Sequence, residues 1–411
     1  MQNAIDLAKK LEEKKGFDLK MLIGLDGFVD EIIHVVDKRQ DFKNFTRIRT
    51  IGEFGERIAK AAGLSTNIEM VTVQTKLGGN GPILSNALIE YGVRLTYAGA
   101  LGVPEVHPVF KPLADRAEAV YSVCAPGQTD ACEFEDGKVM FGKHSTLSGL
   151  TWDVFKNGFG GVEKLSQIVA NCDVFGMENW TMMPAMSEVW QGLIDEVFPL
   201  LPWDSDGKGC SNANGDGVNG SGAGRNNASS GQKPLAFFDL ADPEKRTKAD
   251  IKHAMELIGR FEEKFRVILG LNEKEVYEIA AVLDLLGGKD SAEEIAALAK
   301  DPNNLQKTVM AVYDAMGIYC LMVHPVRSAC CAIGGEYFFT DGPFCAKPKL
   351  TTGAGDNLNA GFCLAQALGL SPQESLTLGV CTSGFYVRNA KSPTFDEVIG
   401  FAKAWGAGEV E

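Results

Sequence analysis

The chain has 411 residues, of which 45% are hydrophobic and 23% are charged, a composition typical of a globular protein with a large core. The formal net charge of −14 disfavours nonspecific binding to nucleic acid or to an anionic membrane surface. No apolar run approaches the roughly 20 residues of a membrane helix, and the charged N-terminus lacks the apolar centre of a secretory signal. The ten scattered cysteines are typical of free thiols in a reducing compartment. We therefore expect a cytoplasmic protein.

Short apolar runs alternate with amphipathic stretches along the chain. KMLIGLDGF (20–28) is the first predicted strand, and GPILSNALIEYG (81–92) has helical spacing and ends at a glycine. Such alternation predicts an α/β fold with a mainly parallel sheet. Further strands are predicted at residues 68–77, 94–102, 172–180, 234–242, 265–275 and 319–325.

Residues 119–144 differ from this pattern, because apolar and polar residues alternate around a Pro-Gly and an Asp-Gly turn. The alternation predicts antiparallel β-structure. We expect a small β-sheet appended to the α/β body, acting either as a flap over a ligand site or as a purely structural layer.

Residues 205–232 are the one segment of low complexity. Gly, Asn and Ser make up 18 of its 28 residues. Such a composition buries too little apolar surface to offset the loss of chain entropy on folding, so we predict a flexible insertion.

The segment LTTGAGDNLNAGFCLAQALG (350–369) carries the strongest chemical signal. Gly353, Ala354 and Gly355 open a helical run, and the free N–H groups of a helix start favour an anion such as phosphate. Asp356 on the first turn would repel that anion unless it took a proton from an attacking hydroxyl. The alternative is that Asp356 caps the helix and the glycines form a tight turn.

TTGAGD followed by xxxAGF resembles the C-terminal signature of the ribokinase-like, or PfkB, family of small-molecule kinases. The resemblance implies that Gly353, Ala354 and Gly355 form an anion hole for the transferred phosphoryl group. It also implies that Asp356 is the general base.

The resemblance covers about residues 20–400 and implies one kinase domain over residues 1–411. The implied fold is a ribokinase-like three-layer α/β/α arrangement with a mostly parallel central sheet. A small β-sheet lid over the substrate is expected from about residues 30–37, 66–77 and 119–144.

Two N-terminal segments are similar to the substrate-binding motifs of this family. In GLDGFVDEIIHVVD (24–37), Asp30 or Asp26 is expected to bind substrate hydroxyls, and a turn-capping Asp is the alternative. LGGNGPILSNALIEYGV (77–93) resembles the family's glycine-pair motif, but Ile83 stands where an Asn is usual. The expected substrate contacts in this second segment are Gly78, Gly79 and Asn80, with Asn80 replacing the missing Asn.

LNEKE (271–275) fits the family's NxxE element, in which Asn272 and Glu275 would organise Mg²⁺ through water. FFDLADPEKR (237–246) is similar to a family strand that ends in FDxNxR. There, Asp239 or Asp242 would face the substrate and Arg246 an anionic group, and an ordinary strand-end Asp is the alternative.

The segments that would bind the nucleotide depart from the family pattern. Leu350 replaces a common Asp, and His324, Pro325, Val326 and Arg327 replace the usual T-x-G turn after the strand that ends at Val323. Because ADP-dependent sugar kinases carry a histidine-containing stretch near this point, the resemblance implies that His324 or Arg327 contacts the donor phosphate. A capped strand end is the alternative. The expected nucleotide contacts are Asn272, Thr352 and Asn389.

The sequence therefore predicts an ATP- and Mg²⁺-dependent kinase that phosphorylates a hydroxyl of a sugar or sugar derivative. The alternatives are a nucleoside kinase or an ADP-dependent sugar kinase of the same fold, and a non-catalytic sugar-binding member. Neither nucleic acid nor membrane is an expected partner. A homodimer through the lid is possible, because lid-to-lid dimers occur in the family.

Overall fold

The computed structural model describes residues 2–204 and 232–410, and the predicted insertion lies, except for Gln232, outside the described residues. The strands are β1 (Lys20–Gly24), β2 (Phe28–Arg39), β3 (Phe45–Arg47), β4 (Met70–Gly78), β5 (Arg94–Gly99), β6 (Ala119–Ser122), β7 (Gly127–Phe134), β8 (Gly137–Lys143), β9 (Val174–Met177), β10 (Leu235–Asp239), β11 (Arg266–Asn272), β12 (Cys320–His324), β13 (Ser328–Ile333) and β14 (Glu336–Asp341). The α-helices are α1 (Gln2–Glu13), α2 (Ile51–Ala59), α3 (Asn80–Glu90), α4 (Lys111–Ala114), α5 (Trp152–Gly158), α6 (Val162–Ala170), α7 (Met186–Gly192), α8 (Lys248–Arg260), α9 (Glu273–Val282), α10 (Ala292–Leu298), α11 (Pro302–Met316), α12 (Ala354–Ala367), α13 (Pro372–Asn389) and α14 (Phe395–Gly406).

The larger sheet has nine strands in the order β14-β13-β12-β11-β10-β9-β1-β5-β6. Every neighbouring pair from β6 to β12 is parallel, and β13 and β14 add an antiparallel edge. Strand β10, with the sequence LAFFD, is buried along its whole length, as expected for a parallel strand covered on both faces. The prediction of a mainly parallel sheet is confirmed.

Helices cover both faces of this sheet and make a three-layer α/β/α fold, as predicted. Alternate strand residues point to opposite faces. Leu22 of β1 belongs to the core that includes side chains of α5–α9 and α11, whereas Met21 and Ile23 belong to the core that includes side chains of α1, α3 and α12–α14. The strand ends that follow β9, β10, β11 and β12 therefore meet the start of α12 at one edge of the sheet.

A second sheet of five strands, which we call the lid, is formed by β2, β3, β4, β7 and β8. Strand β2 pairs antiparallel with β3 and β4 and parallel with β7, and β7 and β8 form a hairpin. Strand β6 (Ala119–Ser122) differs from the prediction, because it pairs with β5 in the larger sheet. Strand β6 has only four residues, AVYS, which are too few to show which sheet the strand joins, so the sequence did not separate β6 from the hairpin.

Across the described ranges, no helix combines the length and apolarity needed to cross a membrane.

Candidate active site

A cavity of about 730 Å³, the lid cavity, lies between the lid and the carboxyl ends of the parallel strands. Open α/β sheets commonly bind ligands at this edge. A second cavity of about 380 Å³, the side cavity, lies between the turn after β12 and helices α12 and α13. The two cavities share three lining residues, which are Asn272, His324 and Gly355.

The glycine-rich segment forms the start of helix α12 between these cavities. Gly353 is the N-cap and has a φ of 91°, a conformation that favours glycine. A Cβ atom on Gly353 would lie 2.9 Å from Tyr386 Oη and 3.0 Å from Ile83 Cγ2. Gly353 and Gly355 line the lid cavity, and Ala354 lines the side cavity. Free N–H groups at this helix start can therefore bind an anion between the two cavities.

Asp356 follows on the first turn of α12 and lines the lid cavity. Gly353 is the N-cap and no side chain caps this helix, so the alternative that Asp356 serves as the cap is wrong. Burial is the main cause that raises the pKa of Asp356 to about 8, and the charge of Asp26 adds to the shift. A hydrogen bond from the Asn80 side chain acts in the opposite direction. The Asp356 carboxyl therefore lies in the lid cavity, on the first turn of α12, with a pKa above that of an exposed carboxyl.

Of the two N-terminal carboxyls proposed for substrate binding, Asp30 lines the lid cavity and Asp26 does not. Burial raises the pKa of Asp30, while Lys76, Thr129 and Lys138 act to lower it. Asp30 stands opposite Lys76 on β4 and Thr129 on β7. It is therefore a carboxyl of the lid that faces the cavity.

Asp26 has a structural role instead, which corrects its assignment as a substrate ligand. Its Oδ2 accepts hydrogen bonds from Asn80 N at 2.9 Å and Asn179 Nδ2 at 2.8 Å, and its Oδ1 accepts one from Gly81 N at 2.9 Å. The two bonds from backbone N–H groups fix the start of α3, and the third ties the carboxylate to Asn179. Gly79 must be small, because a Cβ there would lie 2.9 Å from Asp26 Oδ2.

The glycine-pair motif at the junction of β4 and α3 has three predicted substrate contacts, and they do not all face the cavity. Gly79 and Asn80 line the lid cavity. Gly78 lies behind Asp30 rather than in the lining, and a Cβ on Gly78 would overlap the Asp30 carboxyl. Gly78 therefore makes room for Asp30 rather than for a ligand.

Three more acidic side chains line the same cavity at the ends of β10 and β11. Asp239 accepts hydrogen bonds from Asn359 Nδ2 at 2.9 Å and from Ala241 N at 3.0 Å. Glu275 forms a capping box with Asn272, and its Oε1 accepts a bond from Asp242 N at 2.8 Å. Burial, followed by repulsion from Glu275, raises the pKa of Asp239 well above its usual value.

Arg246 and Asn389 differ from their predicted roles. The Arg246 guanidinium lies over the Trp180 ring and donates to the carbonyl groups of Trp180, Thr181 and Met183. It lines neither cavity, because these backbone acceptors hold it between β9 and α7. Asn389 is exposed at the end of α13, where its amide donates to Phe385 O at 2.9 Å, and it also lines neither cavity.

The predicted residue Thr352 lines the lid cavity, and its hydroxyl accepts a hydrogen bond from Lys138 Nζ of the lid at 2.7 Å. Sequence reasoning missed Lys138, because lid side chains carry no recognisable motif. It also missed three lining residues of the lid cavity, Asn179, His144 and Lys245. The position of Asn179 just after strand β9 was the available signal.

Most of the chain matches one protein-family model. Residues 4–206 and 234–405 match the model of the family described as "Prokaryotic ketohexokinase". The ketohexokinase of Haloferax volcanii is 25% identical over 388 residues, which cover 94% of this chain and 91% of that protein.

Solved structures share the fold at low sequence identity. Ribokinase of Thermotoga maritima has a TM-score of 0.57 at 14% identity, covering 94% of this chain and 100% of that chain. A phosphofructokinase-2 mutant of Escherichia coli has a TM-score of 0.59 at 13% identity, covering 95% and 99%. The fold and the family match over most of its length together identify the chain as a kinase that belongs to the prokaryotic ketohexokinase family.

Proposed function

We propose that the protein transfers the terminal phosphoryl group of ATP to a hydroxyl of a sugar, with a ketohexose as the acceptor. The observation that carries the proposal is the buried carboxyl of Asp356 in the lid cavity, on the helix start whose Gly355 borders both cavities. The acceptor is taken from the name of the Haloferax volcanii relative. The donor is supported by the ribokinase structures described with ADP from Cryptococcus neoformans and with ribose and ATP from Arabidopsis thaliana.

The charge of the lid cavity favours an uncharged acceptor. Its only lysine in the described lining, Lys245, is paired with Asp242 at 3.0 Å. A sugar phosphate would therefore meet no unpaired lysine in this lining, whereas the hydroxyls of a free sugar can exchange hydrogen bonds with its carboxyl groups. The acidic side chains that line this cavity are Asp30, Asp239, Asp242, Glu275 and Asp356.

In the proposed transfer, a bond forms between the acceptor oxygen and the terminal phosphorus of ATP. The bond from that phosphorus to its bridging oxygen breaks, and ADP leaves with the electron pair. Asp30 orients the sugar, and the Asp356 carboxylate takes the proton of the attacking hydroxyl. Backbone N–H groups at the start of α12 stabilise the charge on the transferred group. The lid excludes water, which would otherwise accept the phosphoryl group.

The acidic residues fit a hydrated Mg²⁺ ion rather than an ion caged by protein. In the described ranges, no group of three or more His, Cys, Asp or Glu side chains is arranged to hold a metal. Mg²⁺ commonly keeps its waters and uses one or two carboxylates with substrate phosphates. Glu275 and Asp239, which are buried and repel each other, would hold it through water. When bound, Mg²⁺ neutralises charge on the donor phosphates.

The test is a measurement of ADP release from Mg-ATP with D-fructose, D-ribose, fructose 6-phosphate and adenosine as acceptors. We expect turnover with the ketohexose, and its near-complete loss in Asp356→Asn, with sugar binding by calorimetry retained. Asp153→Asn, on an exposed side chain, is the matched control. Turnover in Asp356→Asn equal to wild type would contradict the base, and preference for adenosine or fructose 6-phosphate would contradict the acceptor class. AMP formed from ADP would contradict the donor.

A further inference from the structure

A third cavity, which we call the lid groove, lies at the end of the lid that is remote from the candidate active site. It has a volume of about 1020 Å³ and is lined by the end of β2, by β3 with the residues after it, and by α2 with the segment that follows. Strand β2 also carries Asp30, and at about 3.3 Å per residue Lys38 lies about 26 Å farther along this strand. In the described lining, the lid groove shares no residue with the lid cavity or the side cavity. A ligand in the lid groove would therefore occupy a site of its own.

The walls of the lid groove are held in place, because α2 is packed onto the lid. Phe54 of α2 is buried in a small core with Ile33 of β2 and Phe134 of β7. A capping box between Thr50 and Glu53 fixes the start of this helix. The lining side chains thus project from elements whose positions are set by the fold before any ligand binds.

The lid groove is rich in positive charge, although the whole chain has a net charge of −14. Among the described residues, Lys38 and Arg47 form no ion pair. Arg49 is paired with Glu135 at 2.8 Å. An excess of basic over acidic groups in a concave site favours a bound anion. The five basic side chains that line the lid groove are Lys38, Arg47, Arg49, Arg57 and Lys60.

Three acidic side chains line the lid groove as well, and they leave this excess in place. Glu53 is occupied by the helix start, where its Oε2 accepts hydrogen bonds from the backbone N–H groups of Arg49 and Thr50. Glu56 lies 3.8 Å from Lys60 Nζ. Asp37, the third, lies 3.9 Å from Arg57 and forms no hydrogen bond with it.

Two arginines of the lid groove are each fixed by one bond and keep free donors. Arg47 Nη1 lies 3.0 Å from His34 Nε2, and burial together with the charge of Arg47 lowers the pKa of His34, so the neutral ring accepts this bond. Arg57 Nη1 donates to Val36 O at 2.9 Å. Both side chains are half-buried, and in the described structure their other N–H groups have no acceptor. Guanidinium groups held in this way match the paired oxygens of a phosphate group.

We propose that the lid groove binds a small polyanion that carries two or more phosphate groups. Arg47 and Arg57 donate hydrogen bonds to its phosphate oxygens, and the exposed side chains of Lys38 and Lys60 add positive charge at the rim. The lid groove is larger than the lid cavity, so it has room for a molecule of nucleotide size. Its ligand is bound without reacting, because the proposed chemistry takes place at the other end of β2.

The test measures the binding of pyrophosphate to the full chain by calorimetry, in the absence of Mg²⁺ and nucleotide. Because pyrophosphate can also bind at the start of α12, the lid groove is identified by comparison of wild type with Arg47→Gln. We expect this variant to lose about tenfold or more in affinity at the lid groove, since a charge-assisted hydrogen bond is removed. The wild-type affinity should also fall as salt is added. Lys43→Gln, at an exposed lysine of the lid outside the groove, and Arg260→Gln, at an exposed arginine of α8, are the matched controls.

Hydrogen exchange locates the bound anion. Pyrophosphate should slow the exchange of backbone amides in β3 and α2 of wild type, and it should not do so in Arg47→Gln. If Arg47→Gln melts below the wild-type temperature, the double variant Lys38→Gln/Lys60→Gln, which changes exposed side chains only, takes its place in both measurements.

Two further ligands distinguish the sources of the phosphate groups. ATP without Mg²⁺ represents a nucleoside triphosphate, and fructose 1,6-bisphosphate represents a sugar bisphosphate. The one whose affinity falls in the variant, while the controls keep the wild-type value, is the class of ligand that the lid groove takes.

Equal affinities of wild type and the groove variants for pyrophosphate, ATP and the bisphosphate would overturn the proposal. So would a change from dimer to monomer in Arg47→Gln by sedimentation with anion affinity unaltered, because the lid groove would then be an interface between copies of the chain. None of these measurements needs turnover. They decide the role of the lid groove whether or not the protein phosphorylates a sugar.

Discussion

Asp26 and Asp356 both accept a hydrogen bond from Asn80, Asp26 from its backbone N–H and Asp356 from its side chain, and the charge of Asp26 contributes to the raised pKa of about 8 at Asp356. Asp26 itself has a pKa raised by burial to about 6. Near neutral pH, Asp26 is therefore a buried carboxylate whose charge opposes the ionisation of Asp356, the proposed base. The arrangement makes Asp356 more basic than an exposed carboxylate, which suits removal of a proton from an alcohol.

We predict that kcat/KM rises with pH to a midpoint near 8, because the free enzyme must have Asp356 deprotonated. Asp26→Asn removes the neighbouring negative charge, so it should move this midpoint to lower pH. The variant will also melt at a lower temperature, since an amide cannot accept all three hydrogen bonds of Asp26. Kinetics between pH 6 and about 9 check the shift. An unmoved midpoint would show that another group controls the profile.

Gly353→Ala is expected to damage both stability and turnover. Its φ of 91° strains any residue with a Cβ, and the added atom would meet Tyr386 and Ile83. The cost should be about 1–3 kcal/mol of unfolding free energy. Gly400→Ala is the matched control, because this helical glycine is exposed and has no atom near the added Cβ. That substitution should stabilise the protein by up to about 1 kcal/mol. Denaturant unfolding of both variants tests the contrast, and equal effects would contradict it.

Lys138 connects the lid to the anion-binding segment over a sequence separation of 214 residues. Because the ammonium group is exposed, Lys138→Met should leave the melting temperature unchanged. A lost exposed contact of this kind is worth up to about 1 kcal/mol, so kcat/KM for the sugar should fall by up to about fivefold. More ADP should then form per sugar phosphate, since an open lid admits water. Lys143→Met on the same strand, where Lys143 pairs with Asp130, is the control. A one-to-one ratio of products in Lys138→Met would contradict a role in closure.

The larger sheet could be predicted from the sequence because parallel strands that are buried on both faces read as continuous apolar runs, as LAFFD does in β10. The helix start at Gly353 was predictable for a related reason, since its glycine and first-turn carboxyl occur in one short segment. The lid was harder, because its edge strand β4 is largely exposed and β6 looks like part of the hairpin.

Side-chain roles depended on long-range contacts that no local pattern contains. Asp26 and Asp30 look alike in sequence, yet only Asp26 has three donors converging on it from α3 and from Asn179. Arg246 follows an acidic strand end as a ligand-binding arginine would. Its position is instead set by three carbonyl groups around Trp180, residues that are distant in the chain. Convergence of this kind comes from the tertiary fold, so the sequence left both alternatives open.

Glu178 provides a test of the repulsion among the buried acidic side chains at the candidate site. It is fully buried at the end of β9, and neither carboxyl oxygen has a hydrogen-bond partner in the described structure. Burial, with added repulsion from Asp239, Asp356 and Asp26, raises the pKa of Glu178 well above its usual value. An acid whose folded-state pKa is raised contributes stability below the unfolded-state pKa and loses it as pH rises towards the folded-state pKa.

Glu178→Gln keeps the shape of the neutral acid and cannot ionise. We therefore expect the variant to match wild type near pH 4, where a glutamate in the unfolded chain is still largely protonated, and to gain stability relative to wild type as pH rises further. Melting temperatures of the two proteins, measured near pH 4 and at successively higher pH, give the difference. Glu256→Gln on α8, an exposed glutamate, is the control and should show no such divergence. A difference in melting temperature between wild type and Glu178→Gln that is the same at every pH would contradict the raised pKa. It would mean that Glu178 is ionised in the folded protein and stabilised by a bound cation or water that Gln also accommodates.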